Sequence, residues 1–583
     1  MSKDYNKVSK ELYQQYKEIV GQDYCYSDYE IRWTYAFGST IFEKDWIPEL
    51  ILMPHSTEEI SMILKLANEN KIPVTPRGSG TSLSAGSKSA YGGIIMDLSQ
   101  MNKILSINIE NNLVEVEPGV ICDDLNEKLK KFGYFFPPDP GSSSVCTIGG
   151  MVATNSGGIQ AFKYGVTKDY VLFLEIGLAN GEILNLGSKV LKSVSSYNLK
   201  DLIIGSEGTL GIITKIGLRI KPLAKKRKLG LYIFENIEDI SQAVIKLRTE
   251  GIVPNLLEFL DQLTTKAVFE YLGGEFENYP NGYVLLAEIE GNNEEEINDN
   301  FSKLNQIMLE RKPKLYKIAS DDEEREELIT ARKNALPALA RISPTACLED
   351  CTIQITDFAK VVKNIEDIPK NLNLSNIKVA TFGHMEGNLH PTFLFNENDE
   401  NDVENYKDAL NFLYSMIITP VGGTITGEHG IGKIKTQYLE LEHDSNVLEI
   451  MYRIKRLFDP NLILNPGQGK ADGIPIKTTK MIRRLKNQSG KILELNCMGC
   501  GFCISTCPSR INYKSEAYSP RGRLSILNGL VYNDLKLNRL INDIFHTCTL
   551  CGLCMEKCPA GVETHKIFEK AREIIHSTSV VKE

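Results

Sequence analysis

The stretch Pro76-Arg77-Gly78-Ser79-Gly80-Thr81-Ser82-Leu83-Ser84-Ala85-Gly86 decides how this chain is read. It follows a short apolar run, Ile72-Pro73-Val74, that predicts a strand. Gly78, Gly80, Gly86 and Ala85 permit close backbone approach. Most of the other residues carry hydroxyls. A loop of this composition presents backbone N–H groups and small donors to an anion, usually a phosphate. It is no P-loop, because no Gly-Lys-Ser/Thr follows, and no GxGxxG opens a helix here. Taken alone, it reads equally well as a Gly/Ser turn without a ligand.

Two further small-residue runs follow. One extends from Pro137-Pro138-Asp139-Pro140-Gly141 through Thr147-Ile148-Gly149-Gly150 to Asn155-Ser156-Gly157-Gly158. The other is Gly205-Ser206-Glu207-Gly208-Thr209-Leu210-Gly211, with Ile212 after it. Three such loops within one domain's length predict a single large ligand threaded between backbones. Together these segments resemble the FAD domain of the vanillyl-alcohol-oxidase (PCMH-type) flavoproteins. The resemblance implies that Pro76, Arg77, Gly78, Ser79, Gly80, Thr81 and Ser82 hold the FAD pyrophosphate. It further implies that Pro140, Gly141, Thr147, Gly149, Gly150, Asn155, Ser156, Gly157 and Gly158, with Glu207, Gly208 and Ile212, line the flavin and its ribityl chain. Some members attach FAD through a histidine in or near the first loop. No histidine lies between His55 and His384, so non-covalent FAD is expected. The run Phe458-Asp459-Pro460-Asn461-Leu462-Ile463-Leu464-Asn465-Pro466-Gly467 resembles the motif that closes the catalytic part of the family, where Asn465 would approach the flavin.

The cysteines carry the most specific signal. Eight of the 13 fall in two short runs, which marks them as ligands and not disulfides. Cys497-x2-Cys500-x2-Cys503-x3-Cys507-Pro508 recurs 51 residues later as Cys548-x2-Cys551-x2-Cys554-x3-Cys558-Pro559. Each unit has the bacterial ferredoxin spacing for a 4Fe–4S cluster, in which the fourth cysteine ligates the other cluster. The expected sets are Cys497, Cys500, Cys503 and Cys558, and Cys548, Cys551, Cys554 and Cys507. Zinc uses CxxC pairs in tetrahedral sites and has no need of this arrangement. Cys25, Cys122, Cys146, Cys347 and Cys351 read as small buried hydrophobes.

His384-Met385-Glu386-Gly387-Asn388-Leu389-His390 and Thr426-Gly427-Glu428-His429-Gly430-Ile431-Gly432 gather imidazoles and carboxylates beside glycine-rich turns. This donor set suits Zn, Mn or Fe. The two segments resemble those of the FAD-linked D-2-hydroxy-acid dehydrogenases, which include the glycolate oxidase flavin subunit and D-lactate dehydrogenase. By that resemblance His384, His390 and Glu428 bind a divalent metal and His429 is the catalytic base. The family usually spaces its two histidines as GHxGDGNxH. Here the interval is one residue shorter and Glu386 stands where Gly-Asp would, which makes Glu386 the alternative ligand to His384. A third segment, Ala331-Arg332-Lys333-Asn334-Ala335-Leu336-Pro337-Ala338 with Arg341-Ile342-Ser343-Pro344, resembles the family's cap. A guanidinium matches a carboxylate bidentately, and the resemblance implies that Arg332 holds the substrate carboxylate.

The expected activity is FAD-dependent oxidation of a D-2-hydroxy acid, of the D-lactate or glycolate class, to the 2-oxo acid. FAD accepts two electrons together and each cluster carries one, so the flavin would act as the converter. The acceptor is expected to be a separate protein, because the chain ends 25 residues after Cys558 without cysteine-rich CCG repeats. A heterodisulfide-reductase-like CCG subunit or an electron-transfer flavoprotein would serve. The alternatives are a flavo-iron–sulfur scaffold subunit of a heterodisulfide-reductase-like complex, favoured by the shortened histidine loop, and a dehydrogenase of a larger acid such as D-2-hydroxyglutarate.

The 583 residues, 42% hydrophobic and 24% charged, describe an ordinary globular chain. Its strands and helices mix without strict βαβ alternation, an α+β pattern. The expected parts are an N-terminal helical segment (1–35), a PCMH-type FAD domain (36–222), an antiparallel α+β cap carrying the metal and catalytic histidine (223–470), and a mostly helical two-cluster ferredoxin-like domain (471–583). Within the cap, strands from 229 to about 360 are expected with helices on one side, and a polar, proline-containing linker is expected at 468–485. No apolar run reaches membrane length, and the polar start is no signal peptide. A net charge of −9 gives no reason to expect nucleic acid. Residues 471–583 hold 17 Lys/Arg against 10 Asp/Glu, a balance of +7, whereas the first 470 hold 49 against 65, a balance of −16. The basic tail reads first as compensation for negative clusters bound there, and otherwise as a docking face for an anionic partner or a membrane surface. An oligomer in the cytoplasm is expected, with contact at the inner membrane face as the alternative.

Overall fold

The computed structural model describes residues 5–39, 46–397, 399–468 and 497–580. The expected linker, apart from Gln468, and the 470/471 boundary lie outside the described residues.

The helix Thr57–Glu69 starts where Ser56 Oγ accepts the Glu59 N–H at 3.2 Å. Ile60, Ile63, Leu64 and Ala67 fall on its buried face. That face covers a four-stranded sheet in the order Cys25–Tyr26, Leu50–Leu52, Ile94–Asp97, Val74–Arg77. Its last three strands are parallel, so the loop that leaves Val74–Arg77 emerges at their C-terminal edge, where such sheets bind ligands. Pro76 and Arg77 end this strand, and the loop proper begins at Gly78. A second, antiparallel sheet runs Ile104–Asn108, Leu113–Val116, Ile212–Arg219, Val171–Gly177, Ile183–Gly187. Its last two strands meet across the Asn180-Gly181 turn, with Gly181 at φ 86°.

The cap is an antiparallel sheet in the order Leu315–Ile318, Lys226–Phe234, Tyr283–Gly291, Leu256–Leu260, Lys378–His384, Asn388–Phe395, Thr345–Leu348, with Cys351–Thr352 also paired to Asn388–Phe395. The sequence placed helices on one side only, and the structure corrects this. Phe234, Leu257, Phe259 and Leu285 pack against Val244, Leu247, Val361 and Ile365 on one face. Leu231, Ile233, Leu256 and Leu260 pack against Val268, Leu328 and Leu339 on the other. The reason is visible in Tyr283–Gly291, which is buried at every position but its last and has no solvent face to offer. The sheet also continues past residue 360, and its later hairpin delivers His384 and His390.

The C-terminal part is helical, with Pro520–Val531, Arg539–His546 and Thr564–Val580 as its longest elements. The N-terminal segment is not separate from it. Trp33, fully buried, donates its indole N–H to the Ser525 carbonyl at 2.9 Å. Trp33 and Tyr35 share one core with Leu524, Ile544 and Phe568, and Ile51 and Ile95 of the first sheet join it. Hydrophobic burial therefore welds the cysteine-bearing part onto the glycine-loop part.

Candidate functional site

One cavity of about 1050 Å³ runs from the glycine loops to the histidines and on to the cysteines. It exceeds the usual range for small-molecule pockets, about 300–1,000 Å³. Pro76 to Ser82, Pro140, Gly141, Thr147, Gly149, Gly150, Ser156, Gly157, Gly158, Glu207, Gly208 and Ile212 all line it. Two predicted residues stand behind the wall. Asn155 ends the helix Ile148–Thr154 at φ 54° and accepts the Lys168 N–H at 2.9 Å. Asn465 stitches loops together: its Nδ2 donates to Gly86 O at 2.9 Å and Glu207 O at 2.7 Å, while Lys433 Nζ donates to its Oδ1 at 2.6 Å. The pairing of Asn465 N with Val74 O at 2.8 Å brings it there.

The walls fit a dinucleotide. A Cβ on Gly78 would fall 2.3 Å from Thr147 Oγ1, so only glycine lets these loops approach. Arg77 is 2% exposed, lines the cavity, and its Nη2 has no hydrogen-bond partner. A buried guanidinium nitrogen beside such a loop is completed by an anion such as a diphosphate.

The histidines converge from different elements. His384 closes one strand of the cap hairpin and His390 lies in the other, across from Phe382. Gly387, at φ 118°, turns the shortened interval between them. Glu428 and His429 come from the turn after Thr426. Asp350 organises that turn, its Oδ2 accepting from Thr426 Oγ1 at 2.6 Å and from the N–H groups of Gly427, Glu428 and His429 at 2.9, 3.0 and 3.0 Å. The ligand atoms of His384, His390 and Glu428 all lie within 4.8 Å of one another, as do those of Asp350, His390 and His429. Glu386 belongs to neither set; the structure leaves it half-buried beside them. His384 Nε2 stands 3.5 Å from Glu428 Oε1, and His390 Nε2 stands 3.9 Å from Glu428 Oε2. The His429 ring stacks on His390 with centroids 5.0 Å apart.

Behind His384 stands a hydrogen-bonded carboxylate, the arrangement that fixes tautomer and ring orientation at metal sites. Glu258 Oε1 lies 2.5 Å from His384 Nδ1, and Asp350 Oδ1 lies 4.0 Å from His390 Nδ1. The second oxygen of Glu258 lies 2.5 Å from Arg332 Nε. Arg332 lies in the last turn of the helix Asp322–Lys333, is 9% exposed, and lies over the Phe382 ring at 4.7 Å. One buried carboxylate thus touches both the metal-type site and the guanidinium expected to bind substrate. Burial opposes ionisation of Glu428, but His384 and then His390 outweigh it and hold the carboxyl at about 2. Burial likewise opposes ionisation of Asp350, yet His429, Lys435 and His390 keep it far below the usual carboxylate range. Neither Glu258 nor Asp350 was foreseen. Their only trace in the sequence is an acid inside an apolar run, Leu256-Leu257-Glu258-Phe259-Leu260, and another between Glu349 and Cys351.

Cys497, Cys500 and Cys558 line the far end of the cavity. Burial pushes Cys497 up to about 12, with Cys500 and then Cys558 adding to it. Cys554, raised chiefly by burial, is further raised by Cys548, Cys507 and Cys551. Cys558 lines the same cavity as Cys497 and Cys500 of the other run. Among the described residues no three cysteines bring their sulfurs within 4.8 Å of one another. Cys551 is exposed; the five scattered cysteines are all buried, as expected.

Comparison with known proteins agrees with this geometry. Residues 48–187 match the family described as FAD binding domain, 223–468 match FAD linked oxidases, C-terminal domain, and 495–562 match 4Fe-4S dicluster domain. The chain is 37% identical over 462 residues to glycolate oxidase subunit GlcD of Bacillus subtilis (strain 168), covering 79% of this chain and 97% of that protein. It is 36% identical over 478 residues to D-lactate dehydrogenase of Anaerostipes hadrus, covering 80% and 98%. Substrate-bound p-cresol methylhydroxylase shares the fold, with a TM-score of 0.65, 17% identity, and coverage of 78% of this chain and 95% of that one. Among the described residues no helix is long and apolar enough to cross a membrane. The chain therefore belongs to the FAD-linked oxidases that include glycolate oxidase subunit GlcD and D-lactate dehydrogenase, and it carries in addition a 4Fe-4S dicluster domain.

Proposed function

We propose that this protein oxidises a small D-2-hydroxy acid, of the D-lactate or glycolate class, to the 2-oxo acid, and passes the electrons through two 4Fe–4S clusters to a partner protein. The observation that carries the reading is the single cavity, on whose wall the glycine loops, Arg332, His384, His390, Glu428, His429 and Cys497 all stand. In this reading residues 36–222 hold non-covalent FAD, 223–470 form the cap, and 471–583 carry the clusters.

Arg332 binds the substrate carboxylate, its guanidinium steadied by Glu258. His384, His390 and Glu428 would hold a Zn, Mn or Fe ion beside the substrate hydroxyl. When bound, the metal would polarise that hydroxyl, FAD would accept the C2 hydride, and the clusters would carry the two electrons away singly. His429 takes the hydroxyl proton, and its backbone is held in place by the N–H that it donates to Asp350 Oδ2. Phe382, His384 and His390 of the cap sheet form part of the cavity wall. Cys497, Cys500, Cys503 and Cys558 hold the cluster facing the cavity, and the set containing exposed Cys551 presents the other to the acceptor. All thirteen cysteines are free, which supports a cytoplasmic setting.

The test is anaerobic flavin bleaching against a panel of D-lactate, L-lactate, glycolate and D-2-hydroxyglutarate. Bleaching by D-lactate or glycolate is expected. Bleaching by D-2-hydroxyglutarate alone would move the substrate to the larger acids, and no bleaching by any 2-hydroxy acid would refute the enzyme reading in favour of an electron-transfer scaffold.

A further inference from the structure

Arg521 lies in the first turn of Pro520–Val531 and is 2% exposed. It touches both halves of the proposed electron path. Its Nη2 donates to Ser79 O at 2.9 Å and its Nη1 to Gly80 O at 3.2 Å, both in the first glycine loop. The same Nη1 donates to Gly499 O at 3.1 Å, inside the first cysteine run. Glu516 grips the guanidinium from behind, Nε–Oε1 at 2.8 Å and Nη2–Oε2 at 3.1 Å. A Cβ on Gly501 would fall 2.9 Å from Nη1, so the backbone beside Cys500 rests directly on the charge. The second cysteine run has a different guanidinium: Arg572 donates to Phe545 O at 3.0 and 2.9 Å and also to Cys548 O.

We propose that Arg521 is a positioning residue for electron transfer, which ties the cavity-facing cluster to the FAD diphosphate loop and raises that cluster's reduction potential above the value its burial alone would set. The inference rests on the iron–sulfur reading above. Reducing a 4Fe–4S cluster adds one negative charge to a site that burial makes poor at solvating charge. A fixed cation against the cluster's own loop stabilises the added electron, and Glu516 offsets part of that effect. Two buried carboxylate–guanidinium contacts also keep the loop from drifting, since a fork-shaped donor satisfies carbonyls on both domains at once.

The test is a redox titration of the loaded full-length protein, with mediators and no substrate, following each reduced-cluster signal by electron paramagnetic resonance. In R521Q one cluster's midpoint is expected to fall by about 60 mV or more, a tenfold change in a one-electron equilibrium. The other cluster should stay within about a third of that. R521K, which keeps the charge but not the fork, is expected to retain most of the potential. E516Q, which removes the offsetting charge, is expected to shift the same cluster upward. FAD and iron content are measured in every variant. Unchanged midpoints in R521Q would overturn the proposal. If R521Q does not load, a downward or absent shift in E516Q would overturn it instead. A wild-type protein with no reduced-cluster signal would refute the iron–sulfur reading itself, and this proposal with it.

Discussion

Glu258 offers the sharpest test of the site. It is 1% exposed, with one oxygen 2.5 Å from His384 Nδ1 and the other 2.5 Å from Arg332 Nε. Glu258→Gln keeps the shape but can accept at one end only. If the amide oxygen accepts from His384, the amide NH₂ faces the Arg332 guanidinium, donor against donor. If it turns, His384 loses the acceptor that sets its tautomer. Removing one partner of a buried ion pair costs about 3–5 kcal/mol, and losing a carboxylate behind a ligand histidine lowers metal affinity about 10–100-fold. The expected variant therefore unfolds at lower denaturant, binds divalent metal at least about tenfold more weakly, and shows a raised KM for the acid because Arg332 is no longer held. Flavin content should stay at the wild-type level, since none of the glycine-loop contacts is touched. The assays are a denaturant titration, metal titration of the chelator-treated protein, and flavin bleaching rates over a range of acid concentrations. Wild-type metal affinity together with wild-type KM would refute the reasoning.

Two other predictions follow from the same region. Gly387 sits at φ 118° with any Cβ placed 2.0 Å from the Ile353 carbonyl oxygen, so Gly387→Ala should cost roughly 1–3 kcal/mol and loosen metal binding, read by thermal melts and metal content; an unchanged melting temperature would argue against the turn as drawn. Burial raises Asp139 and Asp261 from 3.8 to about 7. The fold then binds protons that the unfolded chain releases, so this stability is full at acidic pH and lost as pH rises through 7. Melting temperatures of the protein without added metal should fall between about pH 4 and about pH 7 through these two groups, and a rise over that range would contradict the assignment.

The chemistry-bearing runs were legible because each is local. Cysteine spacing, glycine loops and the two histidine segments are fixed by what a few consecutive residues can wrap around, and a ligand's geometry is written directly into such intervals. The helix Thr57–Glu69 is local in the same sense, being set by its serine cap and apolar period. Asn465 shows where locality ends: the motif pointed it at the cofactor, while the fold sets it between Gly86, Glu207 and Lys433 as a tie among loops. The one-sided cap was misjudged because a fully buried strand such as Tyr283–Gly291 says only that it is apolar, not what lies on each face.

What the amino-acid order determined alone was the inventory: a diphosphate-type loop, two four-cysteine runs, and imidazoles with carboxylates beside flexible turns. What tertiary structure decided was who stands next to whom. Glu258 meets His384 across 126 positions, and Arg521 meets Ser79 across 442. A contact of that kind leaves no periodic trace, since only packing brings its members together, and burial then makes each polar group depend on its partner.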